Sequence, residues 1–222
     1  VKTKDDFLSK ITQTDEKLSS KTNYTQQVNF IKTFMKMITK KIKKGQLLIA
    51  EPSIISDLSF NRAVILLADH NKEGTVGFIL NKPLKFTIKD LLPQIEANFK
   101  IYNGGPVEQD NLYFIHNIPN LIPNSIEISN GIFWGGDFEA TKALINDGTI
   151  TKKNIRFFLG YTGWDSKQLE NEMDANSWIL TKNSYENKIL GKASVHFWKE
   201  RILELGGDYL IWSNAPENPI LN

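Results

Sequence analysis

The segment Ile155-Arg-Phe-Phe-Leu159 runs directly into Gly160-Tyr-Thr-Gly-Trp-Asp-Ser-Lys-Gln-Leu-Glu170. Five mostly apolar residues read as a buried strand, and two glycines and two large aromatics then read as a turn that delivers the chain into a helix running to about Met173. Strand, glycine loop and helix is also a layout that holds anions, because the first N–H groups of a helix have no partner within it. Two readings follow. As a corner, Asp165 and Gln168 have the spacing of a capping box: the Asp165 carboxylate accepts from the Gln168 N–H and the Gln168 amide reaches back, at about 0.5–2 kcal/mol. Gly163 frees the backbone, and Trp164 and Leu169 bury their bulk. As an anion site, the same N–H groups would face a cleft, although Asp165 would repel the anion.

Working outward, Gln46 to Ala50, Ala63 to Ala68 and Thr75 to Leu80 read as strands, and Asn71-Lys-Glu-Gly74 suits a hairpin turn. A short helix fits Thr87 to Leu92, with Thr87 as N-cap and Pro93 ending it. Strands follow at Lys100–Tyr102, Leu112–Ile115, Ile126–Ile128 and Gly131–Trp134. Asp137 caps a helix through Ile145, with Gly148 beyond its end. Ser177–Leu180 is again extended. Val195, Trp198, Ile202 and Leu205 define one face of a last helix stopped by Gly206, and Asp208–Trp212 reads as a final strand. Strands gather early without regular strand–helix alternation, which places the chain in the α+β class with a largely antiparallel sheet.

The chain has 222 residues, 41% of them hydrophobic and 23% charged, and its formal net charge is +2. The charge is unevenly spread. Residues 1–44 hold eleven Lys against four acids, which leaves sixteen basic and twenty-one acidic residues beyond them. The body is therefore mildly acidic, and direct nucleic-acid binding through it is not favoured. No apolar run approaches the ~18 residues of a membrane span, so the expected location is the cytoplasm. Cysteine is absent, which excludes disulfides, iron–sulfur clusters and a thiol nucleophile. Residues 1–43 read as a basic extension, partly helical or disordered. Within it Tyr24, Val28, Ile31, Met35 and Ile38 recur at helical spacing between lysines. Met35 or Met37 would serve as a natural start, with residues 1–36 lying upstream of it.

Catalytic signatures are wanting. His70, His116 and His196 show neither HExxH nor HxH spacing, so no metal or other cofactor is expected. GxSxG does not occur, and Gly191-Lys-Ala-Ser194 lacks the first glycine of a phosphate-binding loop, since Glu186 stands in its place. Asn103-Gly-Gly-Pro106 reads as a turn; its N–H groups could alternatively form an anion nest. His70 and His116 would frame a site if their strand ends were adjacent.

Several segments taken together carry a resemblance: Gly45-Gln-Leu-Leu-Ile-Ala-Glu-Pro52, Phe60 to His70, Gly77-Phe-Ile-Leu-Asn-Lys-Pro83, Gly104-Gly-Pro-Val107, and Gly160-Tyr-Thr-Gly-Trp164 with Gln168-Leu-Glu170. In order and spacing they resemble the AlgH/YqgE family of bacterial proteins over about residues 44–222, and Gly131-Ile-Phe-Trp-Gly-Gly-Asp137 resembles the Bacteroidetes version. The resemblance implies a sheet bent into a pseudo-barrel with flanking helices. It also implies a binding or regulatory module, for which a transcriptional role has been proposed, with no catalytic residue to carry over. The alternative is a small-molecule hydrolase or transferase that uses a cleft histidine or carboxylate. The partner would be a small molecule or a protein. Its expected site is a cleft where Asn81, the Gly104-Gly105-Pro106 loop, His116 and the Gly160, Gly163, Trp164 and Gln168 corner approach one another.

Overall fold

The computed structural model describes residues 41–54, 57–192 and 194–215. The chain divides at Lys41–Ile42, and the fold set out here is that of the second part. The amphipathic segment expected from Tyr24 to Ile38, and the start sites beside it, lie outside the described residues.

Among the described residues the strands are β1 Leu47–Ala50, β2 Val64–Asn71, β3 Gly74–Ile79, β4 Pro83–Thr87, β5 Lys100–Asn103, β6 Val107–His116, β7 Ile126–Ser129, β8 Ile132–Trp134, β9 Ile155–Asp165 and β10 Trp178–Thr181. The helices are α1 Ile88–Leu91, α2 Phe138–Asn146, α3 Gln168–Asp174, α4 Ile189–Lys192 and α5 Phe197–Leu205. The strand order is β10-β1-β2-β3-β9-β6-β8-β7, with β5 parallel to β9 and β4 antiparallel to β5. The remaining pairs are antiparallel. The fold is thus α+β with a largely antiparallel sheet.

The sheet branches at β9. Ile155 to Leu159 lies between β6 and β5, whereas Thr162 to Asp165 pairs with β3. Gly160, at φ +69°, sits at the branch, where a Cβ would come 2.7 Å from the carbonyl oxygens of both Gly105 and Val107. Only glycine combines that backbone angle with such an approach. Opposite it, β6 bulges between Val107, paired with Tyr161, and Leu112, paired with Leu159. The branched sheet curls until its far edge meets its beginning. A Cβ on Gly45 would lie 2.3 Å from Ser129 Cβ, and Lys44 Nζ donates to the Glu127 carbonyl at 2.8 Å. No strand pair among the described residues closes the ring, so the pseudo-barrel stays open.

Both faces of the sheet are covered, which is why β1 and β2 are continuous apolar runs rather than alternating ones. Leu47, Ile49, Leu66, Phe78, Ile115, Ile132 and Phe158 share one cluster with Phe197, Trp198 and Ile202 of α5. The alternate residues Leu48, Ile65, Leu67 and Ile79 pack with Trp164, Leu169 and Trp178. A third cluster joins Ile88, Ile95, Ile101, Phe114, Ile145 and Phe157 beneath α1 and α2. The Asp137 carboxylate accepts from the Ala140 N–H at 2.9 Å, as the sequence leads one to expect.

Three expectations need correction. The Gly160–Trp164 corner is a continuation of β9, because Gly160 bends the strand within a ladder instead of ending it. The capping box forms only in half: Gln168 Oε1 accepts from the Asp165 N–H at 3.0 Å, but the residue at the N-cap is Lys167, at φ 64°. The strand expected at Asp208–Trp212 is a 3-10 helix, Gly207–Asn214. The chain enters it through two successive left-handed glycines, Gly206 and Gly207, which turn it off any extended course. The sequence reading also lacks β4, whose Pro83 start and intermediate burial give no alternating signal.

Candidate functional site

The nine residues expected to line one cleft fall in three places along β9. Asn81, Gly104, Gly105 and Gly160 lie close together. The Ile79 N–H donates to the Gly104 carbonyl at 2.9 Å, the Gly104 N–H to Leu159 O at 2.8 Å, and the Gly105 N–H to Asn103 Oδ1 at 3.0 Å. The loop's two glycine N–H groups are therefore taken up within the protein, and Pro106 beside them is exposed and has no N–H to offer. A Cβ on Gly104 would lie 2.1 Å from the Gly160 oxygen, so this glycine serves the crossing of two backbones. His116 pairs with Ile155 at one end of β9, whereas Gly163 and Trp164 lie towards the other, followed by Gln168. At a rise of about 3.3 Å per residue, the ends of this strand are on the order of 30 Å apart along its path.

Each outlying residue has its own packing role. His116 is fully buried; its Nε2 lies 3.1 Å from the Gly135 carbonyl and its Nδ1 accepts from the Ile118 N–H at 3.2 Å. That pairing describes a neutral ring protonated at Nε2, and burial pushes its pKa below the ordinary value. The indole N–H groups of Trp164 and Trp178 both donate to Glu172 Oε2, at 2.8 and 2.7 Å, and Gln168 Nε2 donates to Glu172 Oε1 at 3.0 Å. His70 bonds Thr75 across the β2–β3 hairpin at 2.8 Å and is not beside His116. Among the described residues no three of His, Asp and Glu come together as a metal site.

A different arrangement forms around Asn81. Its Oδ1 accepts from the Val64 N–H at 2.9 Å and its Nδ2 donates to the Arg62 carbonyl at 2.8 Å, which clips the start of β2 to the end of β3. The preceding turn is built by Asp57, whose Oδ1 accepts from the N–H groups of Ser59 and Phe60. Lys82 fixes that turn by donating to the carbonyls of Leu58 and Ser59 at 2.9 and 2.8 Å. Between this turn and α5 lies a cavity of about 300 Å³ bordered by Arg62, Asn81, Lys82, His196, Trp198 and Lys199, with Leu58 and Val195 at its walls. A second cavity of about 300 Å³ adjoins it across Val195, bordered by Lys100, Tyr102, Lys152, Arg156 and Ser194.

Among the described residues six Lys and Arg side chains line this pair of cavities, and no Asp or Glu does. Two of the cations are desolvated in place. Arg156 is buried and donates to the carbonyls of Leu80 and Leu190 at 2.8 and 2.6 Å. Burial pushes the Lys82 ammonium and the Arg156 guanidinium below their ordinary pKa values; Asp57 acts in the opposite sense on Lys82, as Tyr102 does on Arg156. Arg62 lies over Trp198 at 5.0 Å, and Arg156 over Tyr102 at 4.3 Å. The groove can receive a negatively charged group. Among the described residues it offers His196 but no carboxylate to form an acid–base couple. Of the nine expected residues only Asn81 borders it, because five segments distant in the chain build it.

The fold is an open, curled α+β pseudo-barrel, and in this chain basic cavities lie beside the β3–β4 link. Residues 47–210 match the family model described as AlgH-like, and the chain belongs to that family. It is 40% identical over 182 residues to a UPF0301 protein of Bacteroides fragilis, covering 81% of this chain and 91% of that protein. It is also 40% identical over 183 residues to a UPF0301 protein of Cytophaga hutchinsonii, covering 82% of this chain and all of that one. The solution structure of the AlgH protein from Pseudomonas aeruginosa superposes with a TM-score of 0.62 at 25% identity, covering 80% of this chain and 96% of that one. No helix among the described residues is long and apolar enough to cross a membrane.

Proposed function

We propose that this domain is a binding module with a regulatory role, and that its ligand is a small molecule bearing an anionic group held in the basic groove beside Asn81 and Lys82. One observation carries the reading. Among the described residues the charged side chains that line the two neighbouring cavities are all Lys or Arg, although acids outnumber bases in residues 45–222. Desolvated cations gain more from an arriving anion than solvated surface lysines do. The hydrolase or transferase reading asks for a titratable pair, and the groove's side chains supply His196 without a carboxylate. A role in transcription would then pass through a ligand or protein partner in the cytoplasm rather than through contact with nucleic acid.

The test is equilibrium binding of inorganic phosphate to the full chain at low ionic strength, followed by tryptophan fluorescence. Saturable binding is expected, weakened at least about fivefold by Lys199→Glu and unaffected by the same reversal at Lys72 in the β2–β3 turn. Absence of saturable binding, or equal weakening by both reversals, would contradict the proposal.

A further inference from the structure

The two cavities repeat one design. In each, one cation is held by two backbone carbonyls: Lys82 by Leu58 and Ser59, and Arg156 by Leu80 and Leu190. In each, an arginine lies over an aromatic ring, Arg62 over Trp198 and Arg156 over Tyr102. Each also has an exposed lysine at its wall, Lys199 in the first and Lys152 in the second. The halves are neighbours: Lys82 of one precedes Pro83 of the other in sequence, and Val195, half exposed to solvent, borders both. An apolar ridge between two cationic basins suits a molecule with charge at both ends and none in the middle.

We infer that the groove is one bipartite site for an elongated ligand with two phosphate-class groups, one per cavity, joined by an apolar spacer that crosses Val195. This rests on the anion-binding reading above and gives it a ligand class. Once the first group is seated, the spacer presents the second at a high effective concentration, so affinity rises without any contact beyond those of the two halves.

The probes are a series of straight-chain alkane α,ω-bisphosphates and the alkyl monophosphates of matching length, titrated calorimetrically into the full chain. The expected result is one bisphosphate per chain, an optimum in spacer length, and affinity at that optimum at least about tenfold above the monophosphate. Lys199→Glu and Lys152→Glu, each at an exposed position, should separately reduce the bisphosphate to the monophosphate's affinity, and the double variant should fall well below that level. Monophosphates that bind while bisphosphates of every length bind no tighter would overturn the bipartite site and leave the anion-binding reading standing. Failure of both series to bind would overturn both. Retention of the bisphosphate's affinity in either single variant would assign the site to one cavity alone and overturn the inference.

Discussion

The middle of β9 and the groove beside Lys82 are built on opposite plans. At Gly160 and Gly104 the unusual residues serve backbone contact: carbonyl oxygens lie where side chains would be, and the loop's glycine N–H groups are already bonded. At the groove the residues are ordinary ones, Lys, Arg, Trp and Tyr, brought together from the 57–62 turn, the β3–β4 link, β5, β9 and the segment from Leu190 to Lys199. The conspicuous glycine motif serves backbone packing, and the groove proposed as the binding site is built from residues of ordinary type. A glycine loop is available to a ligand only if its N–H groups are not already spoken for.

The two regions should respond differently to mutation, and the largest effect belongs to the crossing. Gly104→Ala would drive a Cβ to 2.1 Å from the Gly160 oxygen, where only backbone movement relieves the clash. A loss of about 3 kcal/mol or more is expected, read as a lowered denaturation midpoint or as failure to fold. An alanine variant of native stability would show that the two strands do not cross so closely.

An intermediate effect comes from His116, at the end of β6 and opposite the start of β9. Burial lowers its folded-state pKa from the ordinary 6.5, with the Gly135 hydrogen bond acting the other way. As pH falls below about 6.5 the unfolded chain takes up the proton first, so the stabilisation present above that value is lost as pH drops towards the folded-state pKa. The slope from this one group is at most about 1.4 kcal/mol per pH unit. Denaturant unfolding between pH 7.5 and 5 should therefore show a steeper acid loss for the native protein than for His116→Gln. Parallel curves would mean that the ring is not desolvated.

The smallest effect is expected at the groove. Lys199→Glu changes an exposed side chain and should alter stability by no more than about 0.5 kcal/mol while it weakens phosphate binding. A large loss of stability in this variant would turn the groove into architecture as well, and would erase the contrast.

Much of the fold was legible because local signals agreed with it. The apolar runs of β1 to β3, the turn at Asn71 to Gly74 and the Asp137 cap each rest on neighbours in sequence. The misreadings arose where tertiary partners overrode them. Gly160, Gly163 and Trp164 look like a turn until β3 and β6 are seen to supply ladders on either side, and Asp208–Trp212 looks like a strand until Gly206 and Gly207 redirect it. The candidate site was hardly legible. Asn81 stands out as a polar residue at a strand end, but nothing in the sequence marks the half-buried place of Lys82 beside it. Nothing local to Arg156 shows that two distant carbonyls receive it, and only the folded arrangement sets Lys199 across from Lys82.

The most direct measurement is amide chemical-shift mapping of the full chain during titration with inorganic phosphate. Saturable shifts are expected at Arg62, Asn81, Lys82 and Val195 to Lys199, with Gly104, Gly105 and Gly160 to Gly163 unmoved. Shifts centred on those glycines, with the groove silent, would contradict the claim that the glycine-rich segment is architectural and the basic groove is the binding surface.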